Sequence, residues 1–162
     1  MRKIQILTAL LVAAVAFPVS AQLKPAPLPE IFESYNDCFA ATPASGVSTS
    51  ALEKLGWIRA TIESDGTKDT KPDLIIFGHS DRRPLIMLDK ESGPGICIVT
   101  AKLENKRNFQ SFLDAFGGKL PKPDKNGNIT YFVNGQVVQL AKTGTRKEPA
   151  MRAVIMTPEE SK

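Results

Sequence analysis

Two cysteines constrain this chain more than any other feature. Cys38 and Cys97 are the only ones in 162 residues, and each lies in a segment whose apolar pattern says which way it points. The stretch "EIFESYNDCFAA" puts Ile31, Tyr35 and Cys38 on one stripe, with Phe32 and Phe39 beside it, at helical spacing. Pro29 suits the first turn of that helix, where its missing N–H costs nothing, and Thr42-Pro43 ends it. The stretch "GICIVTAKL" is β-prone and apolar in both alternation classes, with Ile96 and Ile98 on one side and Cys97 and Val99 on the other. That is the pattern of a central strand buried on both faces. A bridge between the two cysteines clamps the first helix onto one face of a sheet, and closing so long a segment contributes about 4 kcal/mol on the chain-entropy account. If both stayed reduced, they would be small buried hydrophobes.

The N-terminus points to a compartment in which the bridge forms. Arg2 and Lys3 precede a run from Ile4 to Phe17 broken only by Gln5 and Thr8, and Pro18-Val19-Ser20-Ala21 places short side chains before a cut after Ala21. This is a secretory signal. Fourteen residues fall short of the roughly 20 that span a bilayer as a helix, so an uncleaved anchor is the lesser alternative. No cysteine follows the run, which argues against a lipoprotein cut. Cleavage leaves 141 residues and lowers the net charge from +4 to +2. The expected organisation is a signal peptide over 1–21, an extended tether over 22–29 with three prolines, a single domain over 30–157 and a polar tail over 158–162.

Along the domain, Ser50 and Glu53 have capping-box spacing for a short second helix that Gly56 stops. Strands are expected over 57–63, 74–79, 85–89 and 96–103, with the polar loop "SDGTKDTKPD" after the first. Asn105 to Gly117 is a helix, because Phe109, Phe112, Leu113 and Phe116 recur at i, i+3, i+4 and i+7. Asn134-Gly135 between two β-prone runs signals a hairpin, and Met151 to Met156 is a last strand. This order predicts an α+β fold: a mainly antiparallel sheet of about six or seven strands with two or three helices packed on it.

Catalytic chemistry has one foothold, "HSDRR" at 79–83, which holds the only histidine. A hydrolase triad needs nucleophile, base and acid converging by hydrogen bonds, whereas neighbours on a strand point to opposite faces. No Gly-x-Ser-x-Gly elbow exists, and serine and aspartate before Arg82-Arg83-Pro84 are ordinary turn chemistry. A connection between strands is therefore the preferred reading, with a site around His79 and Asp81 as the alternative. One histidine and two distant cysteines offer no metal-ligand spacing, Cys-x-x-Cys is absent, and the glycines lack a nucleotide-loop context, so no cofactor is expected. Asp73 and Asp81 could form a glycosidase-type pair, but any two acids would look as good.

Three features bear on binding. The Phe109, Phe112 and Phe116 stripe reads as core packing rather than a partner face. Trp57, at a strand start, is expected to be partly buried rather than a stacking platform. The basic excess lies in the second half: residues 91–162 carry eleven Lys/Arg against seven Asp/Glu, whereas 22–90 carry eight against ten. Lys119, Lys122 and Lys125 sit in one breaker-rich loop, and Lys142, Arg146 and Lys147 follow the hairpin. The candidate anion-binding set is Lys119, Lys122, Lys125, Arg146 and Lys147, facing anionic envelope lipid or glycan; a solvated face is the plainer reading. Nucleic acid is a poor partner at so small an excess, and Asn128-Ile129-Thr130 is a glycosylation sequon only in a eukaryotic host. The sequence favours a periplasmic or secreted domain that acts by binding. A hydrolase around His79 and Asp81, or a small protein inhibitor of a secreted or lytic enzyme, are the alternatives.

Overall fold

The computed structural model describes residues 23–60, 63–64, 67–68 and 74–157; the expected signal peptide, Asp73 and the polar tail lie outside the described residues. In chain order the elements are β1 (Pro25–Ala26), α1 (Leu28–Ala40), β2 (Val47–Ser48), α2 (Thr49–Lys54), β3 (Ile58–Arg59), β4 (Glu63–Ser64), β5 (Thr67–Lys68), β6 (Ile75–Gly78), β7 (Leu85–Leu88), β8 (Ser92–Gly93), β9 (Ile96–Leu103), α3 (Arg107–Asp114), β10 (Ile129–Val133), β11 (Gln136–Gly144) and β12 (Pro149–Met156). The fold is α+β. Its main sheet has the strand order β10-β11-β12-β9-β7-β6-β3, with β1 added in parallel against the end of β9 as an eighth strand. All other pairings in the sheet are antiparallel.

Local chemistry explains most of these elements. Asn134 and Gly135 both take positive φ (50° and 79°), which two-residue hairpins require, and they join β10 to β11. Helix α1 begins at Leu28 with Pro29 in its first turn, and Pro25–Ala26 ahead of it is a docked strand, with Ala26 fully buried. The proline-rich stretch is thus extended as its composition requires, but it is tied to Lys102 and Leu103 of β9. Helix α2 is capped by Ser48, whose hydroxyl accepts the Ala51 N–H, so it starts ahead of the Ser50–Glu53 spacing. Glu63–Ser64 pairs with Thr67–Lys68, placing a short hairpin in the segment expected to be loop.

Alternation divides the sheet into two unlike faces. Inward residues such as Phe77, Ile86, Leu88, Cys97, Val99, Leu140, Met151 and Ile155 are buried, and the three helices add Ile31, Tyr35, Cys38, Leu52, Phe109 and Phe112 to the same core. Phe112 stacks on Phe32 of α1 with ring centroids 4.5 Å apart, so the phenylalanine stripe of α3 is core. The disulfide Cys38–Cys97 joins α1 to β9, with its Cα atoms 5.9 Å apart.

The outward residues form rows across the strands. One row is Phe132–Val137–Met156–Ile96, and the next is Thr130–Gln139–Val154–Ile98–Met87–Ile76. The aliphatic members of these rows are only half-buried, because none of the three helices lies over them. Strand β9 is central, as its pattern predicts, but only its Cys97–Val99 side is sealed. The expectation of burial on both faces is corrected there: alternation records two apolar sides, and the helices cover one.

Candidate functional site

The basic residues gather at the end of the sheet where β11 turns into β12. Gly144 closes that turn at a φ of +76°, and a Cβ there would meet the Glu148 carbonyl oxygen at 2.3 Å, so only glycine fits. Beyond it, the Thr145 N–H donates to the Glu148 carbonyl and the Glu148 N–H donates to Thr145 Oγ1, each at 3.0 Å. A second wall comes from the loop before β10. The Asp124 carboxylate accepts the N–H groups of Asn126 (2.7 Å) and Asn128 (2.9 Å), and the Gly127 N–H closes onto the Asp124 carbonyl. These bonds favour the ionised carboxylate and hold its pKa below the usual aspartate value. The third wall is the start of α3, where Asn105 Oδ1 accepts the Arg107 N–H.

Between the walls lies a groove of about 490 Å³ lined by Lys106, Phe109, Asn126, Gly127 and the run Lys142 to Arg146. Lys106, Lys142 and Arg146 are exposed at its rim and Phe109 is its buried apolar floor. No acid belongs to this lining. Glu148, on the same turn, is taken up by Lys102 at 2.8 Å, and that ion pair lowers its pKa. Three cations and the hydroxyls of Thr143 and Thr145 around a concave wall present positive potential to an anion.

Of the five cations expected to bind anions, Arg146 lines the groove. Lys147 and Lys125 adjoin lining residues in sequence, while Lys119 and Lys122 are exposed on the loop outside it. Segments 126–127 and 142–146 do meet, with Lys106 as the member that reading by segments misses. Its only sequence signal is the excess of Lys/Arg over 91–162, which includes Lys106 without indicating what it faces.

Segment 79–83 connects the antiparallel neighbours β6 and β7. His79 Nδ1 accepts the Asp81 N–H at 3.1 Å, its only hydrogen bond among the described residues, and its ring meets Trp57 edge-on. Arg82 is bound to Asp37, and its Nε lies 3.1 Å from Glu33 Oε2. The Trp57 indole N–H donates to the same Asp37 carboxylate at 2.9 Å, which satisfies its polar atom in an almost fully buried ring. Arg83 donates its N–H to Glu30 Oε2 at 3.0 Å and its guanidinium to the Pro25 carbonyl at 2.6 Å. A hollow of about 570 Å³ here is lined by Ser80, Asp81, Arg82 and Arg83 with Leu23, Lys24, Glu30 and Leu85. The arginines of this connection tie one end of the β6–β7 pair to α1 and β1. Compared with protein-family models, curated proteins and solved structures, the chain matches none.

Proposed function

We propose that this is an exported domain that acts by binding, and that it engages anionic surfaces through the groove between α3 and the β11–β12 turn. The observation that carries the reading is the meeting of Lys106, at the start of α3, with Lys142 and Arg146, at the end of β11 and in the turn after it, around a lining without an acid. Phosphate or carboxylate groups, on a lipid or a glycan, are the matching chemistry. All three cations are exposed, so binding is weak and salt-sensitive, with a Debye length of about 8 Å at physiological ionic strength. Export rests on the tripartite N-terminus and agrees with the Cys38–Cys97 disulfide. A hydrolase centred on His79 and Asp81 has less support, because the histidine nitrogen facing Asp81 receives that residue's backbone N–H and the flanking arginines are structural ties.

Sedimentation with phosphatidylglycerol vesicles and, separately, retention on a carboxylated glycan matrix test this at low and high salt. The expected result is binding at low salt to at least one of them. It falls at least tenfold in the Lys106→Ser/Lys142→Ser/Arg146→Ser variant and much less in Lys119→Ser/Lys122→Ser/Lys125→Ser. Equal loss in the two variants refutes the groove and returns the role to diffuse charge; binding of neither probe refutes the reading as a whole.

A further inference from the structure

The helix-free face of the sheet is a second surface, independent of the groove. Among the described residues four large hydrophobic side chains are exposed, and three belong to this face: Phe132 (81 %), Ile58 (67 %) and Leu74 (37 %). Phe132 lies on the edge strand β10, while Ile58 on β3 and Leu74, just before β6, lie at the opposite end. Half-buried aliphatic side chains fill much of the space between them, interspersed with Thr130, Gln139, Thr100 and Arg152, and Asp89, whose carboxylate accepts the Ile96 N–H, stands beside Ile96.

We infer that a second copy of this chain covers the face, the two sheets packing face to face about a twofold axis that runs along the strands. Area is the first argument. Seven neighbouring strands at about 4.8 Å spacing span about 29 Å, and three rows of outward side chains with their own bulk cover about 20 Å along the strands. The footprint of about 600 Å² takes in polar as well as apolar side chains. With its corrugation it approaches the roughly 800 Å² that each partner gives to a specific interface.

The second argument is that the face complements itself. A twofold contact brings one patch against its own copy. With the axis along the strands, the β10 end of one sheet lies over the β6–β3 end of the other. Phe132, standing out from the first end, then meets Leu74, which lies in line with Phe132's row. Gly78 adds to the room at that end, since a Cβ placed on it would touch nothing within 4 Å. Two sheets of the same twist pack in this way at about 10 Å separation. The same axis leaves both basic grooves at one end of the dimer, where a single flat surface could engage the two together. That consequence, unlike the dimer itself, rests on the anion-binding reading.

Sedimentation equilibrium of the purified protein tests the inference. The expected result is a dimer at tens of micromolar. Phe132→Ser raises its dissociation constant at least tenfold and Ile98→Lys leaves a monomer, both with unchanged far-UV circular dichroism. Leu55→Ser, which removes the one exposed large hydrophobic outside the face among the described residues, leaves the dimer intact. Mixed Phe132→Cys and Leu74→Cys proteins form the cross-link between the two substituted positions. A wild-type monomer at 100 micromolar, a dimer indifferent to Phe132→Ser, or cross-linking of Phe132→Cys only to itself overturns the proposal. A monomer that still binds anionic vesicles overturns the dimer alone and leaves the groove standing.

Discussion

Met87 and Leu88 are neighbours on β7 and equally apolar, yet they belong to different environments. Leu88 points into the core beneath α1 and is fully buried; Met87 points the other way, in the row with Ile98 and Ile76, and is half-buried. The same division runs along β9 between Cys97 or Val99 and Ile96 or Ile98. An apolar alternation class states that a surface favours cover, but it does not say what supplies the cover. Here three helices and a disulfide supply it on one face.

The largest expected effect falls on the sealed face. Replacing Cys38 and Cys97 together by serine removes the cross-link between α1 and β9, which spans 59 residues, and should cost about 4 kcal/mol in urea unfolding. A loss below about 1 kcal/mol would mean that packing alone holds the helix in place.

Next comes the neighbour comparison itself. Leu88→Ala opens a cavity in the core and should cost about 2–5 kcal/mol, whereas Met87→Ala, compared at one low protein concentration, should cost less than half as much. Equal costs would show that the outward face is as fully covered as the inward one in solution.

The smallest effect concerns the wall of the groove. Backbone hydrogen bonds depress the Asp124 pKa in the folded chain, so its stabilisation is present above the unfolded value near 3.9 and fades as pH falls through the depressed one. Asp124→Ala should therefore show a small deficit in Tm at pH 7 that closes as pH falls through the depressed value. A deficit independent of pH would assign the loss to packing rather than to the charge.

Much of the fold is legible locally. Asn134-Gly135 encodes its own turn, the spacing of Phe109, Phe112 and Phe116 encodes a core stripe, and Cys38 and Cys97 each sit on the buried side of their element. The Ser48 cap and the docking of Pro25–Ala26 were less legible. A hydroxyl at 48 or 50 satisfies the same local rule, and a two-residue strand exists only because β9 extends past β7 and offers it a partner. The candidate site was legible only in part: Arg146 belongs to a visible basic cluster, while Lys106 stands 36 residues before Lys142 and joins it through the packing of α3 beside the β11–β12 turn.

The sequence by itself determined the longer elements, the alternation along their strands and the placing of each cysteine on an apolar stripe, because these depend on backbone preferences and on periods of two or 3.6 residues. Tertiary structure decided which of two apolar sides the helices seal and which cations share a groove. Those outcomes depend on strand order and on where each helix lands, and both are settled by contacts between residues far apart in the chain.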